Sequence, residues 1–503
     1  MDTMDQSPSA QPHSSQATTL THTEIRTIIS GVMLAMFLAA LDQTIIATAL
    51  PTIGHELGDL EHLSWIVTVY LLTSTAVTPL YGKLSDSYGR RVIMLVGIVI
   101  FIIGSIACAL APSMVFLILA RGLQGIGGGG LIAVAQTIIA DIVPPRERGR
   151  YQVYFASVFM SSSLLGPVLG GFFAEKLHWS VIFWINIPLG LLAFAIAFRS
   201  LKSLPRFERP HRLDLLGAAL LVTATVVLLL ALSWGGIRYP WGSLPIVGLI
   251  AGSLALWVLF ALRMRLAPEP LIPPGVLHNP VVRMATLSAC FGMGTYIGLT
   301  IYLPVYFETV RGLSASLSGL ALIPLMAGTV VGATLSGRTM AKVKHYKRLP
   351  TGGLLVAIVA TGVLVLHGQS LSITAVEIVL GIISIGLGTV LPVTMVTTQN
   401  AVAPHQMGTA TGTANFFRSL GGAFIVAIFG AIVLSGSGVT GAASFEALGE
   451  AAAKSGINLA DVFSHVFLAA IVGFALSLAF LLALEERPLR GAAAKAAEAA
   501  VAD

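Results

Sequence analysis

The sequence predicts an all-α, polytopic membrane protein of about fourteen transmembrane helices. Three observations carry that prediction. Hydrophobic residues make up 55% of the 503 and charged residues only 10%, against about 25% charged in a soluble globular domain. Apolar runs of bilayer-crossing length, about 20 residues, recur from one end of the chain to the other. Lys and Arg concentrate on alternate breaks between those runs, the asymmetry expected of a chain that crosses a membrane repeatedly.

The runs fall into three groups. The first half offers 28–50, 62–81, 92–111, 114–140, 151–174 and 180–200. Two more stand apart at 214–234 and 244–264. The second half offers 281–307, 313–336, 350–367, 371–397, 409–434 and 462–484. This six, two, six grouping gives an N-terminal six-helix bundle at 25–200, a linker with two extra spans at 201–270, and a C-terminal six-helix bundle at 271–484. The tail 1–24 is rich in Ser, Thr, Gln and Pro and lacks a basic region or cleavage site, so it reads as disordered and not as a signal peptide. The tail 485–503 is Ala-rich and reads as a frayed surface helix. The 52 glycines and 24 prolines suit membrane helices, where small residues let backbones approach closely.

Charge orients the chain. With the N-terminus inside, about 23 of the 29 Lys and Arg lie on the cytoplasmic side. Roughly four (Lys176, Arg238, Arg311, Lys454) lie outside, and Arg121 and Arg418 fall within spans. Adding or removing one span would mix the clusters. The expectation is a plasma-membrane protein with both termini cytoplasmic. The net charge of +6 then reflects topology and contact with anionic membrane lipids, not a nucleic-acid footprint. Cys108 and Cys290 each sit in an apolar run and read as small buried hydrophobes, with no disulfide or metal site implied. The longest external loop, 435–461, is rich in Gly, Ala and Ser.

Four stretches carry chemistry. LDQTIIATALP places Asp42 inside the first span, where an ionised carboxylate costs about 2.5–3.5 kcal/mol on insertion scales. It therefore needs a partner helix or a cavity, and either role is open to it. In a cavity it could exchange protons as its surroundings change. GKLSDSYGRR, at 82–91, packs Gly82, Asp86, Gly89, Arg90 and Arg91 into a short turn. One acid among cations there suits a gating latch between helices. RGLQGIGGGG, at 121–130, sets Arg121 with Gln124 and Gly125 on one face. Arg121 either anchors the helix end or tunes Asp42 or the substrate pocket. Its glycines, each unfavourable in a free helix by about 1 kcal/mol, suit close packing. SSSLLGPVLGG, at 161–171, holds Gly166, Pro167, Gly170 and Gly171, the makings of a kinked, closely packed helix. Glu308 and Glu377, near outer helix ends, are candidates for a second acidic site or simply loop-edge acids. Gln124, Asn415 and Arg418 are candidates for a cavity or interface.

Together these stretches resemble, in order, the signature motifs of the major facilitator superfamily, and more narrowly its fourteen-span drug:H⁺ antiporter family. WIVTVYLL at 65–72, DIVPPRERGR at 141–150, FWINIPLG at 183–190, PEPLI at 268–272 and MGTATGTANFFRSLGG at 407–422 add to the resemblance, which covers roughly 25–490. Two positions depart from it. Ser162 stands where the helix 5 motif usually opens with Gly, and Ala341 replaces the acid in GRTMAKVKHYKR, the second-half counterpart of the 82–91 loop.

The resemblance implies two bundles related by a pseudo-twofold axis, a site between them, and an inserted hairpin outside the transport core. It also implies a proton-coupled antiporter exporting amphipathic, cationic or neutral, compounds, with Asp42 and Arg121 in coupling and the proton gradient in place of a cofactor. Export of an endogenous lipid or metabolite is the alternative on the same fold. A monomer would suffice. An enzyme is not expected: HExxH, GxSxG and phosphate-loop patterns are missing from the sequence.

Overall fold

The computed structural model describes residues 22–59, 62–203, 213–437 and 458–489. The N-terminal tail before these limits, residues 438–457 of the 435–461 loop and the chain end beyond 489 lie outside the described residues. Among the described residues, fourteen helices are long and apolar enough to cross a membrane. They are α1 (Thr23–Ile45), α2 (Leu63–Tyr88), α3 (Arg90–Ala109), α4 (Met114–Ile142), α5 (Pro145–Lys176), α6 (Val181–Ser200), α7 (Leu215–Trp234) and α8 (Leu244–Leu266). After these come α9 (Pro280–Thr309), α10 (Ser316–Lys342), α11 (Arg348–His367), α12 (Ile373–Asn400), α13 (Pro404–Gly436) and α14 (Leu459–Ala483). Helix is what hydrocarbon permits, because each backbone N–H and C=O must be satisfied within the segment.

Local chemistry sets the ends. Gly89 turns the chain between α2 and α3 at φ +91, a conformation open to Gly at little cost. The Ser113 hydroxyl accepts from Phe116 N at the start of α4. Asn279 caps α9 by accepting from Val281 N, and Pro280 follows at the first helical position.

The packing repeats after eight helices. In the N-terminal half α1 packs on α5 and α6, α2 on α4, and α3 on α4 and α6. In the C-terminal half α9 packs on α13 and α14, α10 on α12, and α11 on α12 and α14. Between the halves α2 meets α13 and α5 meets α10. Exchange of the halves turns each of those pairs into the other, the pseudo-twofold relation expected. Separate apolar cores fill the halves: Met36, Met94 and Ile138 belong to one, and Leu325, Leu380 and Phe467 to the other.

The inserted pair α7 and α8 packs as a hairpin outside both bundles, yet it is no bystander. It covers the seam where α2 meets α13. Trp234 on α7 stacks edge-on against Trp65 on α2, with ring centroids 5.8 Å apart. Trp257 on α8 lies 6.1 Å from Phe416 on α13.

Most of the stretch 485–503, including its Ala-rich part, lies outside the described residues, which end at 489. Residues 485–489 are not helical. Glu486 accepts from Lys347 N at 2.9 Å, the Tyr346 hydroxyl donates to the Arg487 carbonyl at 2.8 Å, and Asn400 donates to the Pro488 carbonyl at 3.2 Å. This stretch reads EERPL, where Pro488 disfavours helix at the residue before it, and partners at the 345–347 loop and at Asn400 hold the backbone in place. Burial, with Glu486 nearby, pushes the Tyr346 phenol up to about 12, so it stays a hydrogen-bond donor.

Candidate transport site

Asp42 and Arg121 meet inside the N-terminal half. The Arg121 guanidinium donates to Asp42 Oδ2 at 2.6 Å, and both residues are 1% exposed. The other carboxylate oxygen accepts from Gln124 at 2.8 Å and from Asn186 at 2.9 Å. Arg121 also donates to the Gln124 side-chain oxygen at 2.7 Å and to the Ile66 carbonyl at 3.1 Å, and it lies over the Tyr70 ring at 4.2 Å. Ser105 accepts from Gln124, and Cys108 donates to it. Residues from α1, α2, α3, α4 and α6 thus converge on one carboxylate. Of the two roles open to Asp42, the structure gives it a partner and shields it from the space between the halves. The pair lies about one turn from the end of α1 and two turns into α4, near the end of the bundle opposite the 82–91 turn.

The glycines of α4 make this burial possible. A Cβ on Gly129 would stand 2.6 Å from Ser74 Cα, and one on Gly127 would stand 2.7 Å from Phe101 Cα. At Gly125 it would stand 2.6 Å from the Tyr70 carbonyl oxygen. The run therefore lets α4 lie directly between α2 and α3. On α5, Gly166 and Gly170 give α1 the same close approach, at Thr44 and Ile45. The Thr44 hydroxyl donates to the Ser162 carbonyl at 2.8 Å, and α5 runs on as a helix through Pro167. Gly171 faces open space and has no part in this packing.

The 82–91 turn joins the halves. Asp86, 6% exposed, accepts from the backbone N–H groups of Gly408 at 2.9 Å and Thr409 at 2.6 Å, and from the Thr409 hydroxyl at 2.7 Å. These groups lie near the N-terminal end of α13, and a helix N-terminus favours negative charge. Arg90 bridges Asp86 and Asp141, reaching Asp141 at 2.9 Å. Arg91 instead turns outward, donating to the Phe198 carbonyl and stacking on its ring at 4.7 Å. Gly82 sits against Gly408 and Gly412. In the symmetric position, where Ala341 replaces the acid, Gly149 touches Gly337 and Arg146 donates to the Ala341 carbonyl at 3.2 Å. A backbone contact takes the place of a second acidic latch. Both crossings lie at the basic end, and the protein is closed there.

Deeper along the seam, Asn415 donates to the Gln136 side chain at 2.7 Å, which ties α13 to α4. Arg418 lines a recess between α9, α12 and α13. Glu308 and Glu377 are partly exposed near the other end and belong to neither cluster. Asp141, Asn186, Ser105, Thr409 and Gln136 were not singled out individually from the sequence. Each is a small polar residue within or beside an apolar run, a weak signal until its partner is known.

Comparison with known proteins agrees with this architecture. The family model described as Major Facilitator Superfamily matches residues 32–426. The chain is 34% identical over 413 residues to the multidrug transporter protein MdtP of Bacillus subtilis, covering 82% of this chain and 76% of that one. It is also 34% identical over 419 residues to multidrug resistance protein 3 of the same organism, covering 82% and 81%. Among solved structures, the proton:xylose symporter XylE aligns with a TM-score of 0.62 at 14% identity, covering 93% of this chain and 98% of that one. That likeness carries the fold alone. The eight-helix repeat, the crossing of the halves and these matches lead to one conclusion: the chain is a multi-pass membrane transporter, not an enzyme, and belongs to the Major Facilitator Superfamily.

Proposed function

We propose that the protein is a proton-coupled antiporter that exports amphipathic small molecules across the plasma membrane. The names of the two Bacillus relatives, both concerned with multidrug transport or resistance, support the substrate class. The split of basic residues supports an orientation with the closed end and both termini in the cytoplasm.

The observation that carries the coupling is the sealed Asp42–Arg121 pair. Protonation of Asp42 removes the negative half of the pair and leaves a buried guanidinium. Removing one partner of a buried pair costs about 3–5 kcal/mol, enough to shift a conformational equilibrium. Gln124 and the Ile66 carbonyl already accept from Arg121 and hold it while α1 moves against α4 and α5. In this reading Asp42 takes its proton from the outer side, about one helical turn away, and releases it after the Asp86 latch has opened inward. A proton gains about 2.3 kcal/mol per 100 mV of potential and about 1.4 kcal/mol per unit of pH gradient. The gradient is the only energy source.

Inverted membrane vesicles test this. With an acidified interior, vesicles carrying the protein should accumulate ethidium and lose it on addition of a protonophore. Accumulation no greater than in vesicles lacking the protein would overturn the proposal.

A further inference from the structure

The cation of the N-terminal half is fully paired, and the one on α13 is not. Arg418 stands three turns along α13 from Met407, about 16 Å by helical rise. That is near the middle of a hydrocarbon layer about 30 Å thick. It makes no hydrogen bond or ion pair with a described residue. It lines the recess between α9, α12 and α13, and no acidic side chain shares that lining. Thr286, across the recess on α9, is 8% exposed, and its hydroxyl has no hydrogen-bond partner among the described residues. Ala285, Ala289, Leu391 and Met395 supply apolar wall. The recess borders the seam: Asn415, one turn before Arg418, reaches across to Gln136.

A guanidinium stays charged at any ordinary pH and matches a carboxylate with two parallel hydrogen bonds. A buried hydroxyl without a partner is a donor waiting for an acceptor. We infer that this recess, which in this conformation has room for about one water, widens as the halves part into a headgroup subsite, and that it then binds the carboxylate of an amphipathic substrate. Arg418 and Thr286 hold the head, and the tail lies along the apolar wall. The inference rests on the export reading and widens it: cationic or neutral cargo is what the family resemblance suggests, and the charge of this recess adds amphiphiles with an anionic head.

The test is binding to the full-length protein in nanodiscs of zwitterionic lipid, read by the fluorescence of dansylaminoundecanoic acid and of its methyl ester. The two probes share the same tail and differ in the charge of the head, the ester carrying one added methyl in its place. Wild type should bind the acid at least tenfold more tightly than the ester. Arg418→Gln should bring the acid down to the level of the ester, Arg418→Lys should keep most of the preference, and Thr286→Val should weaken the acid two- to fivefold. Equal binding of acid and ester by wild type, or undiminished acid binding by Arg418→Gln, would overturn the inference. If Arg418→Gln does not fold, Thr286→Val decides: unchanged acid binding would refute the subsite. Repeating the titration in discs of anionic lipid separates the sources of the anion. Unchanged affinity supports a substrate subsite, and a tenfold loss would assign the recess to a lipid head and overturn the substrate reading. Binding needs no gradient, so the two readings fail separately. Acid binding through Arg418 without ethidium export would defeat the export reading alone. Ethidium export without acid preference would defeat this one alone.

Discussion

Asp86 of α2 and Thr409 of α13 bind the two halves together: the backbone N–H and the hydroxyl of Thr409 both donate to one carboxylate oxygen, at 2.6 and 2.7 Å. The contact belongs to one conformation and must break when the closed end opens. Charge-assisted hydrogen bonds of this kind are worth about 1.5–3 kcal/mol each, so losing the charge should shift the closed-to-open ratio at least tenfold, roughly 1.4 kcal/mol. Asp86→Asn should insert and fold, transport at a tenth of the wild-type rate or less, and raise the labelling of a cysteine at Thr411 from the basic side. Wild-type transport with unchanged labelling would remove the latch from the mechanism.

Two glycines should respond differently to the same added bulk. Gly82→Val places its clash across the seam, 3.1 Å from the Gly408 carbonyl carbon and 3.3 Å from Gly412 Cα, where the halves can part. Gly129→Val places it inside one bundle, 2.6 Å from Ser74 Cα, where overpacking costs about 1–3 kcal/mol or more. Gly82→Val should therefore melt like wild type yet fail to transport, while Gly129→Val should melt lower and express poorly. Thermal unfolding of the purified variants checks this. Equal losses of stability would mean that Gly82 serves the fold and not the crossing.

The buried pair should show strong coupling in a stability cycle. Asp42→Asn leaves Arg121 without its counter-charge and should cost about 3–5 kcal/mol. Arg121→Gln should cost a similar amount by stranding Asp42. The double variant should recover most of that loss, since neither charge is left alone. Additive losses would mean that the two side chains act independently, against the geometry.

Much of the architecture was legible in the sequence because hydrocarbon imposes a simple rule. Runs such as 92–111 and 244–264 need no partner to be recognised as spans. The turn at Gly89 and the close approaches at Gly125 and Gly166 also follow from residue type. The pairing of Asp42 with Arg121 was only one of several options, because 79 residues separate them and only the packing of α1 on α4 brings them together. Asn186 and Gln136 gave no separate signal, since an amide inside an apolar helix does not disclose which helix it will face. The course of 485–489 was illegible for the same reason: its partners lie on the 345–347 loop and at Asn400, far away in the chain.

Asp42 as the group that exchanges the proton is the central claim, and its most direct test separates gradient-driven accumulation from gradient-free exchange. Proteoliposomes would carry either wild type or the double variant Asp42→Asn/Arg121→Gln, in which no buried charge is stranded. Ethidium exchange without a gradient measures whether the carrier still cycles. Accumulation under one unit of pH gradient, worth about 1.4 kcal/mol per proton, measures coupling. The account predicts exchange by both proteins, accumulation approaching tenfold by wild type, and none by the variant. Full accumulation by the variant would contradict the account and move the proton site to Glu377 or Glu308.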